Sequence, residues 1–200
     1  MSAAAWSAYD EGYLTAYQWA GALAGGAALP QEAAKVQLGP GEVAHAHFAP
    51  VGMSGFFGED KQYRSSFLLV GGPVGLAVTG AASLAYNARK KSQAQRAAVP
   101  RWHRLGSADL VVTSQRLVFT RGAQSDSFWY AETSPLQMAT GPQGIPAVQF
   151  QPTHAPVLQV ESAWAPVLYV FVHHLVDGRP PGVPVPDGLL DRAKAQGRLG

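Results

Sequence analysis

The run Leu110-Val111-Val112-Thr113-Ser114-Gln115-Arg116-Leu117-Val118-Phe119-Thr120 constrains the fold of this chain more than any other stretch. Two β-branched, apolar segments flank a polar Thr-Ser-Gln-Arg step, a pattern that predicts a strand, a tight turn and a second strand. Around it, short strands are predicted near 108–113, 115–121, 126–132, 134–140, 145–151 and 156–160. Gly122, Pro135, Gly141-Pro142, Pro146 and Pro152 punctuate them. Short strands with frequent turn signals predict a small antiparallel barrel or sandwich. One earlier strand, 42–49, follows the break at Gly39-Pro40-Gly41, and the Gly-rich residues 51–60 read as a loop.

Helical periodicity flanks this β-rich region. Trp6, Tyr9, Tyr13, Tyr17 and Ala20 recur at spacings of three and four, which predicts a helix over 3–24 with that stripe as its packing face. Gly25-Gly26 ends it, and Pro30 with Gln31-Glu32-Ala33-Ala34-Lys35 predicts a short second helix. Near the C-terminus, Ser162 is placed to cap a helix carrying Trp164, Leu168, Phe171 and Leu175 on one face, ended by Asp177-Gly178. That stripe is expected to cover an open end of the barrel. The Pro-rich tail after Arg179 is expected to be extended, with a short polar helix near 187–196.

Charge is distributed unevenly. The net charge is +2, but residues 61–108 contain no Asp or Glu and carry Lys61, Arg64, Arg89, Lys90, Lys91, Arg96, Arg101 and Arg104. Within that segment, residues 67–86 hold no charge, a length that matches one bilayer-spanning helix. Gly71, Gly72, Pro73, Gly75 and Gly80 dilute its hydropathy and loosen any helix there. Helical polar spacing continues to about Ala98, so a helical insertion is expected. If the run spans, the cations after it point residue 87 onward to the cytoplasm.

Candidate chemistry is sparse. The chain has no cysteine, which excludes disulfides and thiolate metal sites. His45 and His47 share one face of the predicted strand, His173 and His174 are adjacent, and His103 and His154 stand apart. None of these has metal-site spacing, so no metal and no cofactor is expected. There is no nucleophile elbow, phosphate-binding loop or dinucleotide fingerprint, so no catalytic residue is assigned and the chain is expected not to be an enzyme. Asp10-Glu11 and Glu59-Asp60 read as surface charge. Near the cations at 89–104 the only aromatic residue is Trp102, a weak stacking platform, and nucleic acid is not an expected partner.

Pro40-Gly41-Glu42-Val43, followed by residues 106–119 from Gly106-Ser107-Ala108-Asp109 through the hairpin, resembles bacterial PH-like domains related to GRAM domains. The resemblance implies a Gly-Glu pair opening the first strand, a hairpin at Thr113 and Arg116, later strands, and one closing amphipathic helix, here 164–176. It implies a structural role for Arg116, hydrogen-bonded to backbone carbonyls. The implied fold is mainly β: a PH-like barrel or sandwich over 38–177, capped by a C-terminal helix. A long insertion occupies about 51–105, an N-terminal helical segment covers 1–37, and a Pro-rich tail covers 178–200. The implied function is a binding or adaptor module at the cytoplasmic membrane surface that docks anionic lipid or a protein partner. Arg89, Lys90, Lys91, Arg96, Lys61 and Arg64 are the candidate lipid contacts. A basic start and apolar core of a secretory signal are lacking, which also predicts a cytoplasmic chain. Both strands of one barrel must lie on one side of a membrane, so the resemblance favours a 67–86 run that does not span. The competing reading is a soluble interaction domain in which 67–86 packs the N-terminal aromatic helix against the barrel.

Overall fold

The structure, a computed structural model, describes residues 6–58, 99–153 and 155–199. The expected helical insertion at 67–98 therefore lies outside the described residues. Among these, a helix α1 (Ala8–Ala24) is followed by strands β1 (Ala44–Phe57), β2 (Arg101–Thr113), β3 (Arg116–Arg121), β4 (Gln124–Trp129), β5 (Gln137–Thr140), β6 (Pro146–Phe150) and β7 (Val157–Glu161). Two further helices, α2 (Ala165–Asp177) and α3 (Leu189–Ala195), complete the order. The strands form one antiparallel sheet in the order β4-β3-β2-β1-β7-β6-β5. The sheet is open, with β4 and β5 at its edges, so the closed form of the expected barrel is not what the chain adopts.

The core lies between one face of this sheet and the helices. Leu110, Val112, Leu117 and Phe119 alternate inward along β2 and β3 and meet Val148, Phe150, Leu158 and Val160. Leu168, Val170, Phe171 and Val172 of α2 seal this layer, and Trp19 of α1 meets Phe171 edge-to-face at 5.2 Å. Gly178, at φ 69°, ends α2, as the Asp-Gly pair suggests. Ser162 does not cap that helix by its side chain. Trp164 occupies the cap position and is exposed, so it does not extend the apolar stripe.

Three expectations are corrected. The aromatic stripe of α1 is not its packing face. Tyr9 and Tyr17 are exposed, and Gly12, Leu14, Ala16 and Leu23 are buried. Aromatic spacing follows the helix period on either face, and the small residues mark where α1 approaches its neighbours. Residues 31–35 form no helix, because their hydrogen bonds go to β1. Glu32 N–H donates to Ala44 O at 2.9 Å, and the His45 ring Nδ1 donates to Pro30 O at 2.7 Å. Five residues nucleate a helix poorly, whereas here they form a strap that brings Val36 and Leu38 over Ala44, Val111 and Val118. Finally, residues 51–57 are not a loop. Val51 and Met53 are each 1% exposed, and the Gly content had concealed their alternation. β2 likewise begins at Arg101, and a register shift opposite Met53 and Ser54 is absorbed at Gly106, whose φ of 100° suits a bulge.

Candidate functional site

The polar centre of the molecule is built where β1 begins and β2 turns into β3. Glu42 lies just before β1, and its side chain is fully buried. Arg116 opens β3 and grips that carboxylate with two parallel bonds, Nε to Oε1 at 2.9 Å and Nη2 to Oε2 at 3.0 Å. Thr113 Oγ1 donates to Oε1 at 2.6 Å, and the Gly39 N–H donates to Oε2 at 2.7 Å. The Thr113 oxygen also accepts from the N–H groups of Gln115 and Arg116, which closes the hairpin turn. Burial alone pushes the Glu42 carboxyl up. The donors from Arg116, Gly39 and Thr113 outweigh it and hold the group at about 2. Tyr130 supports the turn from the core side, donating to Thr113 O at 2.9 Å, and burial holds its phenol far above the usual range.

The rest of the Arg116 guanidinium joins this centre to the outer sheet face. Nη2 donates to Gln37 O at 3.0 Å, Nη1 donates to Ser127 Oγ at 2.9 Å, and the group lies 4.8 Å from the Trp129 ring centre. Of the carbonyl contacts expected for Arg116, that to Gln37 is present, but the dominant partner is a carboxylate. Glu42 is the residue that sequence reasoning missed, having treated it only as a strand opener. A buried acid needs a cation, yet nothing in one sequence singles out a partner 74 positions away.

Beside this lock runs an open groove of about 640 Å³ between the 35–39 strap and strands β3 and β4. Lys35, Arg116, Thr120, Ser125, Ser127 and Trp129 line it, and among the described residues no carboxylate does. Lys35 Nζ donates to His47 Nδ1 at 2.8 Å, which leaves the ring proton on Nε2, 3.8 Å from Asp109. His45 and His47 therefore serve separate partners. Among the described residues no three His, Asp or Glu side chains are grouped to hold a metal ion.

At the other end of the β1–β2 ladder, Phe57 pairs with Arg101 and Phe56 with Trp102. Phe56 and Trp102 are 39% and 43% exposed and pack on each other at 5.3 Å, so this sheet end presents apolar rings to solvent. Arg101 and Arg104 are also exposed there. His103 stacks on Phe57 at 4.3 Å and donates to its carbonyl. The candidate lipid contacts Lys61, Arg64, Arg89, Lys90, Lys91 and Arg96 lie outside the described residues. Among the described residues no helix is long and apolar enough to cross a membrane.

No known family model, curated protein or solved structure matches the chain.

Proposed function

We propose that this chain is a non-enzymatic, PH-like binding module that docks on the anionic, cytoplasmic face of a membrane through the Phe57–Arg101 end of its sheet. The observation that carries this reading is the pair of exposed rings, Phe56 and Trp102, beside Arg101 and Arg104. Amphipathic rings with cations suit the headgroup boundary. The described sheet ends at Phe57 and resumes at Arg101, its register partner, and the sequence between them contains the basic, acid-free run 61–98. One membrane crossing between two paired strands is geometrically impossible, which favours surface docking over spanning. The order of seven strands followed by an amphipathic helix supports the PH-like reading.

Vesicle co-sedimentation tests it. Phosphatidylglycerol-containing vesicles are expected to capture the chain, and the captured fraction should fall as salt rises, because each cation near the surface contributes about 1 kcal/mol. Joint replacement of Phe56 and Trp102 by alanine is expected to weaken capture by about tenfold, from loss of on the order of 1–2 kcal/mol of apolar burial. Equal capture by pure phosphatidylcholine would reject the anionic selectivity, and capture by neither would reject membrane docking and leave a soluble interaction domain.

A further inference from the structure

We propose that β4 is a docking edge for an extended segment of a partner protein, one that alternates acidic and small apolar side chains and pairs with the sheet as an added strand. β4 is the terminal strand of the open sheet and pairs only with β3 among the described residues. Gly122 and Ala123 form a two-residue turn between the register partners Arg121 and Gln124. In such a hairpin the flanking pair is hydrogen-bonded, and bonded pairs then alternate along the ladder. The main-chain groups of Ser125, Ser127 and Trp129 therefore point away from β3. The Trp129 carbonyl does so visibly, since it accepts from Thr133 Oγ1 at 2.8 Å.

The same three residues carry side chains into the outer groove, and Ser127 and Trp129 also border a second depression of about 160 Å³. Phe128, Glu132, Pro152 and Thr153 line this second depression. The strand thus offers outward amides with a recess on either side. Strand addition uses both: the main chain supplies the bonds, and recesses for alternate side chains supply selectivity. Charge sets the order of the alternation. The Arg116 charge is balanced by Glu42, so Lys35 is the cation the groove offers, with no carboxylate among its described lining residues, whereas the second recess carries Glu132 beside the apolar Phe128, Pro152 and Ala155. Acidic side chains belong over the groove and small apolar ones in the other recess. This surface runs from the Glu42–Thr113 end of the β1–β2 ladder, beside Trp129, to Ser125 opposite the Thr120–Asp109 pair, whose distance from Arg101 is roughly 25 Å of strand contour. Peptide docking and vesicle docking therefore succeed or fail independently.

The test uses the full chain and a fluorescein-labelled, end-blocked heptapeptide of alternating valine and glutamate. Saturable anisotropy is expected, together with slowed amide exchange at Ser125, Ser127 and Trp129 in the complex. Ser127→Pro removes an outward N–H at an edge position, where proline is compatible with folding, and is expected to weaken binding at least tenfold. Ser127→Ala keeps the N–H and is expected to retain binding. Lys35→Glu is expected to weaken the glutamate peptide and to favour one with lysine in its place. If Ser127→Pro does not fold, the Lys35→Glu reversal and the exchange pattern decide. Absence of peptide binding overturns the proposal. So does binding that leaves those amides exchanging freely, or a folded Ser127→Pro chain that binds normally. Self-association through β4 without peptide capture overturns the choice of partner.

Discussion

Replacing Glu42 by alanine is expected to lower folding stability by about 3–5 kcal/mol, because it strands a largely buried guanidinium and removes the acceptor for Thr113 and Gly39. Urea unfolding reads this as a lower midpoint with an unchanged slope. Arg116→Met alone is expected to cost a similar amount by leaving the carboxylate unpaired. The double replacement with Glu42→Met is expected to cost far less than the sum, since apolar groups of similar size can replace a buried ion pair at little loss. The same pair makes a pH prediction. The folded state holds Glu42 at about 2 against an ordinary 4.5, so its contribution is complete above about pH 4.5 and is lost as pH falls toward 2. The difference corresponds to up to about 3 kcal/mol. Stability measured across that window is expected to fall more steeply for the native chain than for Glu42→Ala. Asp10 adds a smaller change of the same sign: burial raises its carboxyl, but Ser7 and Arg192 together draw it below the usual range. A cost below about 1 kcal/mol for Glu42→Ala, or parallel pH curves, would remove the lock from the account of the fold.

The local half of this architecture was legible in the sequence, and the non-local half was not. The hairpin at Thr113 and Arg116 is written in adjacent residues, as are the Gly178 stop of α2 and the late helix at 189–195, because turn and cap chemistry acts within a few positions. What decides the site acts across the chain. Glu42 meets Arg116 through strand pairing, and Lys35 reaches His47 because residues 31–35 bond to β1 rather than to each other. The extension of β1 to Phe57 was hidden for a different reason. Glycines at 52, 54's neighbour Gly55 and 58 dominate the composition there, while Val51 and Met53 carry the burial. The same effect misassigned the packing face of α1, where a conspicuous aromatic periodicity competed with an inconspicuous one of Gly12, Ala16 and Leu23.

That second misreading leads to an opposed pair of expectations within one helix. Alanine in place of an exposed helical glycine stabilises by about 0.8–1 kcal/mol through propensity. Gly21 meets nothing near the position of an added methyl, so Gly21→Ala is expected to gain about that amount. Gly12 has the same propensity gain available, but its added methyl would fall on the carbonyl of Ala163, a backbone group in the turn that leads into α2. Backbone cannot swing aside as a long side chain can, and overpacking of this kind costs about 1–3 kcal/mol or more. The steric cost exceeds the propensity gain, so Gly12→Ala is expected to destabilise by about 2 kcal/mol net. Displacement of α1 should also disturb the edge-to-face contact of Trp19 with Phe171, seen as a loss of near-ultraviolet circular dichroism. If Gly12→Ala unfolds at the same temperature as Gly21→Ala, then α1 does not rest on that turn. Its seat on α2 would then depend on Ala16, Trp19, Ala20 and Leu23 and on the Asp10–Arg192 and Glu11–Arg198 pairs.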